Sequence, residues 1–247
     1  MKTEQQKEAM HRALRVLKEI SEEEIAIARK NAERRWVSIA NGDEPYWFWN
    51  AFVQSSATNG GAGHLDRLIF IRKEFESACG IDPLEWETVT QYDNELLSQW
   101  VGVAANPHYQ RWEQIRGRLK DFVTTNRCNL VEVSLRLQGS DRAACIKLLK
   151  AIPGISDKYA RNLMMDVGHP EFMDGSFALD SRILGFLEAT TGLGHTYSQT
   201  SKTKWTENEL VAIAHEAGHT AWEVDRLIFG FWSQLNGKRK DTAVSVP

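Results

Sequence analysis

The chain has 247 residues, of which 42% are hydrophobic and 26% are charged, with a net charge of −3 at pH 7. These proportions are typical of a soluble globular protein, and the net charge excludes a protein whose overall charge attracts nucleic acid, so any contact with DNA or RNA must come from a local basic patch. Its three cysteines show no Cys-x-x-Cys pairing, which excludes a disulfide scaffold and a cysteine-based metal cluster and favours a reducing compartment.

The N-terminal part of the sequence predicts long helices. Residues 3–35 are charged and periodic, and Ser-Glu-Glu-Glu at residues 21–24 resembles a capping box that would divide them into two helices. After a break at residues 42–45, residues 46–55 predict a buried helix, and residues 56–63 are too rich in glycine for a helix interior. No segment resembles a secretion signal or is apolar enough to span a bilayer, so we expect a cytoplasmic protein without membrane contact.

Helical periodicity continues through most of the remaining chain. Further amphipathic stretches cover residues 64–77, 93–103, 109–126 and 129–137. The alternation of β-branched residues that predicts strands is nearly absent. The sequence therefore predicts an all-α protein of about ten helices.

Residues 152–160, Ile-Pro-Gly-Ile-Ser-Asp-Lys-Tyr-Ala, separate two helical stretches. Gly154 suits a tight turn between helices, and Ser156 is a good N-cap for a helix that begins at Asp157. The free N–H groups at such a helix start can bind a phosphate, and Lys158 lies in the first turn. An ordinary helix–helix turn is the alternative interpretation of the same pattern.

A local excess of positive charge surrounds this hairpin. Phosphate binding depends on clustered basic residues and not on the total charge of a chain. The basic residues between positions 136 and 161 are Arg136, Arg142, Lys147, Lys150, Lys158 and Arg161, against the two aspartates Asp141 and Asp157. A solvated helix face has a similar composition.

Residues 215–219 match the HExxH pattern, in which two histidines on one helix face bind zinc and the glutamate acts as a base. Gly218 is a favourable helix end, however, and residues 220–223 form a capping box for a following helix. A break between His215 and His219 would keep the two imidazoles from binding one ion. No histidine follows His219 to complete the three protein ligands of a catalytic zinc. We therefore expect no functional metal site here.

Asp180 stands at a further predicted helix start, and its simplest role is that of an N-cap. If the fold brings Asp180 near Lys158, the pair has a different use. A neutral lysine amine can act as a nucleophile, and a carboxylate in the same cleft can stabilise a developing cation or accept a proton.

The segments LLKAIPGISDKYARNLMM and FALDSRI together resemble the helix-hairpin-helix DNA glycosylases. In that family the hairpin Leu-Pro-Gly-Val-Gly is followed by a lysine and then by an alanine. Pro153, Gly154, Lys158 and Ala160 occupy the matching positions. The family's later Val-Asp-Thr-His-Val element is matched by Leu-Asp-Ser-Arg-Ile around Asp180.

The resemblance implies two helical domains that flank a cleft. Residues 45–168 would form a helical barrel domain with the hairpin, and residues 1–44 together with 169–247 would form the second domain. A hairpin lysine marks the bifunctional members, so Lys158 is expected to be the nucleophile and Asp180 its catalytic partner.

The resemblance also implies residues that contact DNA. The hairpin would bind phosphate, the helix and loop around residues 52–63 would insert a wedge beside a flipped base, and aromatic residues of the final helices would form a base pocket. The expected DNA-binding residues are Gly154, Ser156, Gln54, Ser56, Asn59 and Arg182, and the expected pocket residues are Trp222 and Trp232.

Several positions depart from the family pattern. Ser156 replaces the second hairpin glycine, and Arg182 stands where many members have histidine. The spacing from Lys158 to Asp180 is longer than in endonuclease III. No cysteine follows Cys145, so the C-terminal iron–sulfur cluster of endonuclease III is missing, which favours the cluster-free 8-oxoguanine branch.

These observations predict a base-excision repair DNA glycosylase with AP lyase activity. The expected substrate is duplex DNA that contains an oxidised base, with 8-oxoguanine favoured, and the expected enzyme is a monomer without a metal or cofactor. The alternatives are a non-catalytic helix-hairpin-helix DNA-binding module and, less favoured, an HExxH zinc hydrolase.

Overall fold

The computed structural model describes residues 4–57, 107–178, 183, 185–186 and 207–235. For residues 5–7, 9–10, 12–21, 53–57, 107–113, 115–116 and 229–235 the description covers the backbone alone. All regular secondary structure in these ranges is helical, which confirms the predicted all-α class. In chain order the helices are α1 (Glu4–Ala40), α2 (Trp47–Ala57), α3 (Pro107–Thr125), α4 (Leu130–Gln138), α5 (Arg142–Lys150), α6 (Asp157–Asp166), α7 (Pro170–Met173), α8 (Glu207–Glu216) and α9 (Ala221–Leu235).

The first helix is continuous, so the predicted division at Ser21 is wrong. α1 runs for 37 residues and contains neither glycine nor proline, and extending a formed helix by one residue is favourable where nothing interrupts it. It ends at Ala40, and Gly42, two residues later, has a φ of +83° that lets Asp43 N–H donate to the Ser38 carbonyl at 3.0 Å.

The chain divides into two compact units. One unit comprises residues 35–167, and α2 lies at its centre, in contact with α4 and α6. Three consecutive aromatic residues of α2, Trp47, Phe48 and Trp49, are fully buried, as the sequence predicts. Each buried side chain of this size contributes about 1.5–3 kcal/mol to the stability of that unit.

The other unit comprises residues 1–34 and 168–247, and in its described part α9 packs against α7 and α8. Its core contains Phe177, Ile183, Phe186, Leu210, Ile213, Ala214, Ala221, Val224, Leu227 and Ile228. Gly168, at a φ of +72°, brings the two segments of this unit into backbone contact, because a Cβ there would lie 2.7 Å from the carbonyl carbon of Ala32. Only glycine fits this position.

Several helix starts follow the capping rules. Asn129 and Asp141 cap α4 and α5 by accepting hydrogen bonds from the N–H groups of Glu132 and Ala144 at 2.7 and 2.8 Å. Among the described cysteines, Cys128 and Cys145 are buried and form no disulfide. No helix within the described ranges is long and apolar enough to cross a membrane.

Candidate active site

The hairpin between α5 and α6 is a tight turn built around Gly154. Ile152 N–H donates to the Leu149 carbonyl at 3.0 Å, and Ile155 N–H donates to the Ile152 carbonyl at 3.1 Å. Gly154 has a φ of +90°, a conformation that side-chain-bearing residues rarely adopt. The predicted glycine turn is therefore confirmed, and its backbone geometry explains the residue type.

Helix α6 begins at Asp157 with Ser156 as its N-cap, as the sequence predicts. The Ser156 hydroxyl oxygen accepts a hydrogen bond from Tyr159 N–H at 3.3 Å. The N–H groups of Gly154, Ser156 and Asp157 have no acceptor among the residues that the structure describes. These three donors are therefore available to an anion at the hairpin.

Lys158 is the second residue of α6 and is half-buried. Its Nζ lies 5.9 Å from the centroid of the Tyr159 ring, within the range of a cation–π contact. Lys158 therefore lies in the first turn of a helix, with its amine beside an aromatic ring.

The charge at the hairpin is more balanced than the run of basic residues suggests. The Asp157 carboxylate pairs with Lys150, 3.4 Å from its Nζ, and with Arg161 one helical turn away. Two of the basic residues counted from the sequence therefore neutralise an acidic residue at the helix start. Their positive charge is only partly available to a DNA backbone.

An arginine that sequence reasoning missed packs against the hairpin glycine. A Cβ added to Gly154 would lie 3.0 Å from Cζ of Arg118 and closer still to its Nη1. Arg118 belongs to α3, is exposed, and makes no hydrogen bond or ion pair within the described part of the chain. No sequence pattern marks it, because its contact with Gly154 depends on how distant helices pack.

Several predicted site residues lie outside the description. Asp180, Arg182 and Asn59 fall outside the described residues. Of three further predicted site residues the structure describes the backbone alone: Gln54 and Ser56 in α2, and Trp232 in α9.

Trp222, predicted to line the base pocket, is only 3% exposed. The guanidinium carbon of Arg226 lies 5.6 Å from the centroid of its ring. Its role in base binding stays a prediction.

The helix break inside the HExxH segment is confirmed. α8 ends at Glu216, Gly218 has a φ of +79°, and α9 begins at Ala221. His215 Nε2 lies 2.7 Å from Asp174, and Glu216 lies 3.1 Å from Nε2 of His11. Across residues 4–57, 107–178 and 207–235, no group of three or more His, Cys, Asp or Glu side chains could hold a metal ion.

His219, the last residue of that segment, is buried and belongs to a partly exposed network with Glu223 and Arg29. Its Nδ1 lies 3.7 Å from Glu223, whose other oxygen accepts a hydrogen bond from Nη1 of Arg29 at 2.9 Å. Thr220 N–H donates to Glu223 at 2.9 Å, and Glu223 N–H donates to the Thr220 hydroxyl at 3.2 Å, which confirms the predicted capping box. Contact with His219, Thr220 and Arg29 outweighs burial and lowers the pKa of Glu223 to about 2.

The chain resembles known proteins in its structure, but no match was found from its sequence. No family model matches the chain, and no curated protein matches its sequence. A crystal structure of Methanocaldococcus jannaschii 8-oxoguanine DNA glycosylase is 20% identical, with a TM-score of 0.56 over 92% of this chain and 94% of that one. A complex of 8-oxoguanine glycosylase/lyase from the same organism with a 15mer DNA containing 8-oxoguanine is 19% identical, with a TM-score of 0.57 over 90% of this chain and 96% of that one. The chain therefore has the all-α fold of the helix-hairpin-helix DNA glycosylases.

Proposed function

We propose that the chain is a DNA glycosylase with AP lyase activity, which removes an oxidised base from duplex DNA and then nicks the strand. The observation that carries this proposal is the hairpin, which combines a glycine turn at positive φ, a capped helix start and a half-buried Lys158. The fold adds support, because both similar structures are of a glycosylase that acts on 8-oxoguanine. We propose 8-oxoguanine as the preferred base.

Lys158 is the proposed nucleophile. Its neutral amine attacks C1′ of the damaged nucleotide, so that an N–C1′ bond forms while the glycosidic bond breaks and the base leaves with a proton. Opening of the sugar ring then gives a Schiff base, and loss of a C2′ proton breaks the bond between C3′ and its phosphate oxygen. The Tyr159 ring beside Nζ supports this role, since it restricts the positions that the amine can adopt.

Asp180 is the proposed partner of Lys158. A carboxylate facing the sugar would stabilise the oxocarbenium-like charge at C1′ and accept a proton from the attacking amine. Ala178 and Ile183, the nearest described residues on either side of Asp180 in the sequence, are 2% and 3% exposed.

The hairpin is the proposed phosphate-binding element. Its donors are the N–H groups of Gly154, Ser156 and Asp157, and the guanidinium of Arg118 adds positive charge at the same turn. The Asp157 carboxylate would repel a phosphate, but its two ion pairs reduce that repulsion. Binding to duplex DNA is therefore expected to weaken as the salt concentration rises, in spite of the net charge of −3.

The two alternative functions make different demands on the chain. A non-catalytic DNA-binding module would use the hairpin donors but has no need of a half-buried lysine at position 158. A zinc hydrolase needs His215 and His219 on one helix face, and the break at Gly218 separates them onto different elements.

Borohydride trapping tests the proposed function. Borohydride reduces a Schiff base between a protein amine and the sugar to a stable covalent complex, so trapping reports an amine nucleophile directly. The panel contains duplexes with 8-oxoguanine, uracil, an oxidised pyrimidine, an abasic site or no lesion. We expect the wild type to trap most strongly on 8-oxoguanine among the base lesions.

Matched lysine variants identify the nucleophile. Lys158→Gln should abolish trapping and still bind duplex DNA, because the proposed phosphate contacts are mainly backbone N–H groups. Lys147→Gln removes an exposed amine from α5 and should trap like the wild type. A covalent adduct of Lys158→Gln would show that the nucleophile is another residue. A wild type that binds DNA without base release or trapping would favour the non-catalytic module.

A further inference from the structure

Two acidic side chains hold the backbone just before Asp180. The Ser176 hydroxyl and the Phe177 N–H both donate to one carboxyl oxygen of Glu207, at 3.1 and 3.0 Å. The Ala178 N–H donates to a carboxyl oxygen of Asp225 at 3.2 Å. Glu207 is the first residue of α8 and Asp225 belongs to α9, so two helices fix one short segment, residues 176–178, here called the anchor segment.

The anchor segment is buried. Ser176, Phe177 and Ala178 are 0%, 1% and 2% exposed, and Phe177 belongs to the same hydrophobic core as Ile183. Asp180 is the second residue after Ala178, and two residues of fully extended chain span at most about 7 Å. The location of the anchor segment therefore limits the space that the Asp180 carboxyl group can reach.

The residue on α9 that holds the anchor segment is a buried carboxylic acid. Asp225 is only 5% exposed, and burying a carboxyl group is costly unless it accepts hydrogen bonds. An apolar residue on the buried face of α9 would avoid this cost but would leave the Ala178 N–H without its acceptor. The Asp225 carboxyl group thus supplies a buried acceptor for the backbone two residues before Asp180.

We propose that Asp225 and Glu207 are positioning residues, which hold the anchor segment so that the Asp180 carboxylate faces the reacting sugar. This inference rests on the proposed glycosylase function. Neither residue is required to touch the substrate, and both act through Asp180. Because a misplacement of about 1 Å can slow a reaction about 100-fold, loss of one anchor should lower the rate of base release by about 10- to 100-fold.

The test measures single-turnover base release, DNA affinity and amide hydrogen exchange for a set of variants. Asp225→Ala removes the acceptor of Ala178 N–H, whereas Asp225→Asn keeps a side-chain oxygen that can accept the same bond. Glu207→Gln and Glu207→Ala make the corresponding pair for Phe177 and Ser176. Asn208→Ala changes the exposed neighbour of Glu207 on α8 and serves as the control.

We expect Asp225→Ala and Glu207→Ala to slow base release without weakening DNA binding, and to speed exchange of the Ala178 or Phe177 amide. The amide variants should recover most of the rate, and Asn208→Ala should match the wild type. In an Asp180→Asn background, Asp225→Ala should cause little further loss, because residues that act through one group are not additive.

The outcomes separate the inference from the proposed function. If the wild type releases no base from any lesion, both the function and the positioning role are wrong. If the wild type is active but Asp225→Ala and Glu207→Ala release base at the wild-type rate, the positioning role alone is wrong. Full additivity of Asp225→Ala with Asp180→Asn would equally overturn it. Should Asp225→Ala fail to fold, the Glu207 pair decides the question.

Discussion

Replacing Glu223 with glutamine should destabilise the protein in a pH-dependent way. The Glu223 side chain is 14% exposed and lies in the first turn of α9. Its negative charge is stabilised by His219 at 3.7 Å, by Thr220 N–H at 2.9 Å and by Arg29 at 2.9 Å, so its pKa falls from 4.5 to about 2. Glutamine keeps an acceptor for Thr220 N–H but loses the charge that His219 and Arg29 stabilise.

The expected magnitude follows from the lowered pKa. At about 1.4 kcal/mol per pKa unit, the shift from 4.5 to about 2 contributes about 3 kcal/mol to the free energy of unfolding at pH 7. Because the folded-state pKa is the lower one, the contribution is complete above about pH 5 and is lost as the pH falls towards 2. At pH 3, about 1.5 kcal/mol of this contribution to the free energy of unfolding should remain. The His219 contact is long for a hydrogen bond, so 3 kcal/mol is an upper value.

Urea unfolding followed by circular dichroism measures this effect. The difference in free energy of unfolding between wild type and Glu223→Gln should be largest at pH 7 and should shrink between pH 5 and pH 3. Glu216→Gln is the matched control, because Glu216 is 62% exposed in its pair with His11 and such pairs contribute less than about 1 kcal/mol. A difference for Glu223→Gln that is equal at pH 7 and pH 3 would refute the argument.

The remaining predictions concern DNA, catalysis and metal. Gly154→Glu should weaken binding to every duplex, because its side chain enters the space of Arg118 at a strained φ and adds negative charge; unchanged affinity of a folded variant would exclude the hairpin as a DNA contact. Asp180→Asn should slow base release about 10²- to 10³-fold with little change in DNA affinity, measured in single-turnover assays, and a rate near that of the wild type would exclude Asp180 as the partner. Elemental analysis of the purified protein should find neither iron nor stoichiometric zinc, and one zinc per chain that is lost in His215→Ala would contradict this.

Local sequence patterns predicted much of the fold. The all-α class follows from periodicity, and the Ser156 cap and the break at Gly218 follow from residue types whose preferences depend on the nearest neighbours in sequence. The same reasoning failed at Ser21, because a Ser-x-x-Glu pattern also fits a helix interior when nothing nearby ends the helix. Local rules therefore locate helix ends best where glycine or proline accompanies the cap.

The candidate site was harder to predict, because its contacts join distant parts of the chain. The pair of Asp157 and Arg161 is one helical turn apart and is readable from sequence. The contact of Arg118 with Gly154, and the bond from Ala178 to Asp225, depend on how helices pack. No periodicity or motif encodes such contacts. The roles of Lys158 and Asp180 stay predictions until variants are assayed.

The order of the two compact units along the chain has a consequence for folding during synthesis. Residues 35–167 are contiguous and can pack as soon as they leave the ribosome, whereas residues 1–34 belong with residues 168–247. At a synthesis rate of about 5–20 residues per second, roughly 10–40 s pass between the synthesis of residues 1–34 and the completion of residues 168–247. Contacts such as that between Ala32 and Gly168 can therefore form only after residues 35–167 have been synthesised. Residues 1–34 contain many acidic and basic side chains, which favours the solubility of this segment during that interval.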